Sequence, residues 1–372
     1  MTKLKLILKD GTEVVGESFG YLPKKDETID GEVVFNTAMV GYPETFTDPS
    51  YRGQILVMTY PMIGNYGIPD EASDGGVSQK FESLTSHIRG LVISEYCEEA
   101  SHWQSKKTLS DFLKAHKIPA ISGVDTRALT QKLREHGVML GKMVPESFEA
   151  KKNMKIEDPN ANNLVAEVSV NKKTILTPKG KIKATVALID CGIKHNIIRS
   201  FLERGIQVIR LPWNYDLSTV KEKYDGVFIS NGPGDPETVV ATIDSVKWAM
   251  GKDIPIFGIC LGCQIMGLAA GAKTYKLKYG HRSANQPCIE EVISEGKRCY
   301  ITSQNHGFAI DEKTLPKDWK VWFTNANDNT VEGIRHNKKP WFSVQFHPEA
   351  SPGPEDAAYL FDYFIEKIAG DK

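Results

Sequence analysis

The sequence predicts an α/β protein with a C-terminal, mostly parallel sheet flanked by helices, preceded by a smaller mixed α/β N-terminal domain. Three observations carry this. From residue 184 onward, short apolar β-rich runs alternate with helical segments, the pattern of a parallel sheet covered on both faces. Residues 1–150 instead mix strand-like runs with turn chemistry and one clear helix. Between them, 151–183 turns rich in Lys, Asn and Pro. A chain of 372 residues is long for one domain. The expected division is therefore an N-terminal domain over 1–150, a linker region over 151–183, and a second domain over 184–372.

In the first domain, "EVVFNTAMVGYPETFTDPSY" opens as a strand and breaks into Gly, Pro and Asp turns. "VDTRALTQKLREHG" (124–137) predicts a helix. Asp125 stands at the N-cap, Leu129 and Leu133 share a face, basic residues crowd the last turn and Gly137 ends it. The 151–183 stretch holds only a short apolar "LVAEVSV" between polar runs.

In the second domain, "TVALID" reads as a buried strand and "HNIIRSFLERG" as a helix closed by Gly205. "IQVIRL" and "YDGVFIS" are strands, the latter ending in "NGPGDP", with a helix near 237–250. "IPIFGI" is a strand and "CQIMGLAAG" begins a helix; "WFSVQF" is a strand near the C-terminus. In such sheets chemistry gathers at the carboxyl ends of the strands.

Composition narrows the function. A net charge of −1 gives no single-sign field of the kind that attracts nucleic acid or an anionic membrane. The opening "MTKLKLILKDGTEVVG" has a four-residue apolar stretch, too short for a signal-peptide core, and no other apolar run approaches a membrane span. Six cysteines in this length make no disulfide framework, so a reducing, cytoplasmic setting is expected.

The chemistry centres on "GICLGCQ" (258–264). Cys260 follows the strand "IPIFGI" directly, inside Gly258-Ile-Cys-Leu-Gly262, the cysteine version of a nucleophile elbow. The tight turn requires small flanking residues, and the following helix aims its N-terminus at the sulfur, favouring thiolate. The backbone N–H of Leu261 points to where an oxyanion would form. Two rivals exist for the pair Cys260 and Cys263. A thioredoxin-like redox pair fits the local C-x-x-C at a helix start. A four-cysteine zinc site needs a second close pair, whereas Cys288 and Cys299 are eleven apart with no His at finger spacing. Under the nucleophile reading Cys263 is a small packing residue.

A thiolate nucleophile needs a base and an orienting group. "WFSVQFHPEAS" supplies His347 and Glu349 just past a strand, two residues apart and so on one side at extended spacing. Alone, such a His-x-Glu reads as a surface loop. "SNGPGDP" (230–236) ends the strand before the elbow, and its glycines permit close backbone approach to a substrate. It is not a dinucleotide fingerprint, because position 237 is Glu, and "GLAAGAKT" lacks Walker spacing to Lys273.

Together "SNGPGDP", "GICLGCQ" and "FHPEASPGP" resemble the triad-type (class I) glutamine amidotransferases. The whole chain resembles, more narrowly, the small glutamine-hydrolysing subunits of carbamoyl-phosphate synthetase. That likeness includes the first half, in "VFNTAMVGYPETFTDPSYRGQI", "TYPMIGNYG" and "ISGVDTRALTQKLREHG", and continues in "DCGIKHNIIRSF", "GHRSANQP" and "SQNHGFAID". Other class I amidotransferases lack this first domain.

The resemblance implies a catalytic triad of Cys260, His347 and Glu349. It implies glutamine contacts at Ser50, Gly232, Gly234, Leu261, Gln264, Asn305, Gly307 and Phe308, with the Gly232 and Leu261 amides forming the oxyanion hole. Asn305 rather than His306 takes the substrate contact on this ground alone, and His281 is read as structural. The implied partner is the large synthetase subunit, on which the first domain docks, with L-glutamine as substrate. The implied product, carbamoyl phosphate, is made from bicarbonate and ATP and serves arginine and pyrimidine synthesis. No cofactor or metal is expected in this chain; ATP and magnesium belong on the large subunit. No nucleic acid or membrane partner is expected. The chain departs from the family at Cys263, usually His, and at Ser283, usually Gly. The alternatives are another class I amidotransferase subunit, serving anthranilate, guanylate or imidazole-glycerol-phosphate synthesis, a silent regulatory module, or a thiol hydrolase.

Overall fold

The computed structural model describes residues 2–148, 155–291 and 297–369. It divides into two compact units, Met1–Asn162 and Asn163–Lys372.

The first unit is built on a closed barrel. Its strands are β1 (Lys3–Leu8), β2 (Glu13–Ser18), β3 (Ile29–Asn36), β4 (Gln54–Met58), β5 (Gly90–Val92), β6 (Ala120–Ser122) and β7 (Met139–Pro145), in the order β1-β7-β3-β4-β5-β6-β2. Pairing is parallel from β3 through β4 and β5 to β6, and antiparallel elsewhere. Barrel closure leaves no exposed sheet edge. It is not visible in strand periodicity, because it depends on which distant strands pair. Helix α1 (Leu109–Ala115) buries Leu109, Phe112 and Leu113, which join Val34, Leu56 and Leu91 in one core. Helix α2 (Thr126–His136) forms as its sequence dictates. Asp125 accepts a hydrogen bond from the Ala128 N–H at 2.9 Å, Leu129 and Leu133 are buried, and Gly137 follows at φ 93°. Such a cap is worth about 0.5–2 kcal/mol.

Of the stretch expected as a linker, 151–154 lies outside the described residues. Residues 155–162 belong to the first unit, and from Asn163 on the stretch carries elements of the second. A helical turn over Leu164–Val168 is capped by Asn163, and strand β8 (Thr174–Leu176) joins the main sheet. Leu164 and Val165 are buried, so the start of "LVAEVSV" packs into the second unit.

The second unit is a ten-stranded sheet. After β8 come β9 (Ala184–Asp190), β10 (Ile206–Pro212), β11 (Gly226–Ile229), β12 (Ile256–Ile259), β13 (Thr274–Glu290), β14 (Arg298–Ile310), β15 (Trp319–Asn325), β16 (Val331–His336) and β17 (Trp341–Val344). The order is β8-β10-β9-β11-β12-β17-β16-β15-β13-β14. Strands β10, β9, β11, β12 and β17 are parallel neighbours, the expected parallel centre. Beyond β17 the sheet continues antiparallel through β16, β15, β13 and β14. This extension was not anticipated from the alternating strand–helix pattern.

Helices α3 (His195–Glu203), α4 (Val240–Gly251), α5 (Leu261–Ala270) and α6 (Tyr359–Ala369) complete the unit. On one side Phe201 of α3 and Phe361 and Phe364 of α6 meet Phe228 and Phe257 of the sheet through edge-on and tilted ring contacts. Cutting one such buried ring to Ala costs about 3–5 kcal/mol. The rigid parallel centre places the carboxyl ends of β9, β11, β12 and β17 side by side, and the loops that follow them build the site.

Candidate active site

Cys260 is the first residue past β12 and caps α5, with φ 56° and ψ −106°. A non-glycine residue held there costs about 1–3 kcal/mol, strain of the kind found at functional sites. The flanking glycines are required by contact. A Cβ on Gly258 would stand 2.6 Å from the Gly262 carbonyl oxygen, and one on Gly262 would stand 2.2 Å from the Ile229 carbonyl oxygen. The Cys260 N–H donates to the Val344 carbonyl at 2.9 Å, which ties the elbow to the end of β17. Its Sγ–H donates to the Asn305 carbonyl of β14 at 3.6 Å.

His347 lies three residues past β17, so the strand neighbouring the elbow delivers it. Its N–H donates to the Ser303 carbonyl at 2.9 Å, and Ser303 pairs with it in an isolated bridge. Strand β14 thus touches Cys260 through Asn305 and His347 through Ser303. His347 Nδ1 lies 2.6 Å from Glu349 Oε1, with both side chains fully shielded. A carboxylate accepts only, so Nδ1 carries the proton and Nε2 presents its lone pair. Nε2 is buried and has no hydrogen-bond partner among the described residues.

The sequence reading missed a fourth member. Lys194, in the loop after β9, places its buried Nζ 3.1 Å from Glu349 Oε1 and also donates to the Ala350 carbonyl. Burial pushes the Glu349 carboxyl up, but the Lys194 ammonium and His347 outweigh it and hold the group at about 2. Asn196 Nδ2 donates to the Glu349 carbonyl, and Asn231 Oδ1 accepts from the Lys194 N–H at 3.0 Å. The loops after β9, β11 and β17 are therefore laced together. Lys194 lies within the block "DCGIKHNIIRSF", past the end of a parallel strand, but no local motif marked its side chain.

The implied oxyanion donors are neighbours. A Cβ on Gly232 would stand 2.1 Å from the Cys191 carbonyl oxygen and 2.8 Å from Leu261 Cδ2, so only glycine fits beside Leu261. Leu261 opens α5, where the N–H has no partner within the helix. Gly234 has φ +84° and faces Leu164. Gln264 is buried, and its Nε2 donates to the Phe308 carbonyl at 3.0 Å and to Gln345 Oε1 at 3.1 Å. That amide nitrogen is committed to the protein, which makes Gln264 a brace between α5 and β14. Gly307 faces the Arg282 guanidinium at 3.2 Å from its notional Cβ. Ser50 belongs to the first unit, where it is buried and its N–H donates to Asp48 Oδ1 at 2.8 Å. It is not among the residues that the second unit brings together.

Cys263 is turned into the core. It is fully buried, it accepts from Ser343 Oγ at 3.2 Å, and burial pushes its thiol up to about 12. It is a packing residue, not a second thiolate.

Comparison with known proteins matches this architecture unit by unit. The model for glutamine amidotransferase class-I matches residues 187–367, and that for the carbamoyl-phosphate synthase small chain, CPSase domain, matches 6–143. The arginine-specific small chain of carbamoyl phosphate synthase from Saccharomyces cerevisiae is 47% identical over 375 residues, 99% of this chain and 89% of that protein. The chain belongs to the carbamoyl-phosphate synthase small-chain family. The arginine-specific small chain from Neosartorya fischeri is 46% identical over 97% of this chain and 79% of that protein. Family membership also extends to larger proteins. The multifunctional protein CAD of Squalus acanthias is 52% identical over 97% of this chain, which spans 16% of the length of that relative. Among the described residues, no helix of this family member is long and apolar enough to cross a membrane.

Proposed function

We propose that this chain hydrolyses L-glutamine to glutamate and ammonia through a thioester on Cys260. The observation that carries the reading is the buried His347–Glu349 pair, 2.6 Å apart, just past the end of the strand that neighbours the one leading into Cys260. His347 Nε2 takes the thiol proton, and the thiolate attacks the side-chain amide carbon. Charge develops on the amide oxygen, toward the Gly232 and Leu261 N–H groups. Collapse breaks the C–N bond, and His347 gives its proton to the leaving ammonia. His347 then takes a proton from water, which attacks the thioester. Glutamate leaves and the thiol is restored. Glu349 stays ionised, fixes the His347 tautomer and stabilises the imidazolium; Lys194 keeps Glu349 ionised.

The CPSase domain in the first half supports a further step. The ammonia passes to a large synthetase subunit that makes carbamoyl phosphate from bicarbonate and ATP, with ATP and magnesium bound there. The arginine-specific small chains among the relatives favour arginine synthesis as one destination, and the family resemblance adds pyrimidine synthesis as another. The test is glutamate release by the purified chain, with and without a large subunit supplied with ATP and bicarbonate. Stimulation with carbamoyl phosphate formed supports both steps. Hydrolysis that the large subunit leaves unchanged keeps the glutaminase and rejects the partner.

A further inference from the structure

The loop after β9 carries two groups that the chemistry uses. Lys194 reaches Glu349 at 3.1 Å, and the Cys191 carbonyl lies so close to Gly232 that a Cβ there would stand 2.1 Å from its oxygen. Both are governed by a residue outside the catalytic set. Asp190 is the last residue of β9, and its side chain is completely shielded.

Asp190 divides its two oxygens between the loop and the sheet. Oδ1 accepts from the Gly192 and Ile193 N–H groups at 2.8 and 2.9 Å. These bonds turn the chain sharply at the strand end, where Gly192 takes φ 113°, a value that favours glycine. Oδ2 accepts from Arg210 Nε and Nη2 at 2.8 and 2.7 Å, and from the Val170 N–H at 3.3 Å. Arg210 stands on the neighbouring strand β10 opposite Leu188, two residues before Asp190, so the two side chains share a face. A buried carboxylate is tolerated when it is paired and hydrogen-bonded, and the guanidinium supplies the opposite charge. The rest of the loop is tied to the end of β11. The Cys191 N–H donates to Ser230 Oγ at 2.9 Å, and the Lys194 N–H donates to Asn231 Oδ1 at 3.0 Å. Gly232 follows directly.

We propose that Asp190, with Arg210 as its counter-ion, is a positioning residue for the catalytic set. It sets the Lys194 ammonium on Glu349 and the Cys191 carbonyl against Gly232, and so acts through both rather than on the reacting atoms. The inference rests on the glutaminase reading. In that chemistry the Gly232 N–H meets charge that develops on the amide oxygen, and Lys194 keeps ionised the carboxylate that stabilises the imidazolium. Both contributions belong to the transition state, so their loss falls on kcat rather than on KM.

Asp190→Asn tests this with nearly the same shape. An amide oxygen turned to Gly192 and Ile193 leaves the NH2 against the guanidinium, and the reverse orientation sets it against the loop N–H groups. Either way one side is lost. Glutamate release by the folded full chain should show kcat about 10²-fold lower, with KM for glutamine changing less. Arg210→Met should lower kcat in the same sense, and Arg210→Lys, which keeps a cation beside Oδ2, should recover part of it. Alkylation of Cys260 by iodoacetamide reads the same geometry without glutamine and should slow in Asp190→Asn and Arg210→Met. A wild type that releases no glutamate sinks the glutaminase reading, and the alkylation rates then judge the positioning by themselves. If Asp190→Asn does not fold, the two Arg210 variants decide. Wild-type kcat in folded Asp190→Asn or in Arg210→Met, a loss confined to KM or to thermal stability, or unchanged alkylation of Cys260 would each overturn the proposal.

Discussion

Lys194 Nζ and His347 Nδ1 meet the same oxygen, Glu349 Oε1, at 3.1 and 2.6 Å. The orienting carboxylate is thus held by a buried cation from one loop while it holds the imidazole of another. That relationship sets the first two predictions.

Lys194→Met leaves the Glu349 charge buried without its cation. Breaking one side of a buried pair costs about 3–5 kcal/mol, whereas removing both charges costs less. The double variant Lys194→Met with Glu349→Gln should therefore recover part of the stability lost in Lys194→Met alone. Urea denaturation of the four proteins in this cycle measures the coupling. Additive losses would show that Lys194 does not act on Glu349.

The Glu349 carboxyl sits at about 2 in the folded chain against an ordinary value of 4.5. A lowered folded value means the unfolded chain binds the proton more readily. The stabilisation is therefore full above about 4.5 and is lost as pH falls toward about 2. The stability gap between wild type and Glu349→Gln should shrink across that window and stay constant above it. Denaturation at a series of pH values gives the curve.

The two cysteines of "GICLGCQ" should separate cleanly. Cys260→Ala should abolish glutamine turnover. Cys263→Ala should keep most of it, because Cys263 is buried with its thiol pushed up to about 12. Glutamate release by each variant, with peptide mapping of alkylated thiols, checks both. An inactive but folded Cys263→Ala would contradict the single-nucleophile chemistry.

His347→Asn removes the proton carrier and should lower kcat by about 10²–10⁴-fold. Gly232→Ala puts a Cβ 2.1 Å from the Cys191 carbonyl oxygen, so the chain must shift and carry an oxyanion donor with it. Loss of one such donor costs about 10²–10³-fold in kcat. Steady-state kinetics on folded protein measures both, with KM for glutamine changing less than kcat.

Local signals explain what the sequence revealed. The α2 helix was legible because its cap, its Leu129–Leu133 face and its terminal glycine all lie within fourteen residues. The Cys260 elbow was legible because strand, small residues and helix follow one another directly. The parallel centre was legible from alternation. The barrel, the antiparallel extension and Lys194 were not, because each depends on pairing between segments far apart in the chain. The second unit's Leu164–Val168 turn was hidden by polar flanks that read as linker. The glutamine contacts drew on family likeness rather than on local signals, and the Gln264 amide nitrogen, which donates to the Phe308 carbonyl and to Gln345, is a packing detail that no local signal carried.

The most direct measurement is to mix the chain with glutamine, quench in acid during turnover, and locate the glutamyl adduct by mass spectrometry. The chemistry proposed here predicts a thioester on the peptide containing Cys260, absent from Cys260→Ala and present in Cys263→Ala. Turnover with no adduct on that cysteine, or an adduct on Cys263 instead, would contradict it.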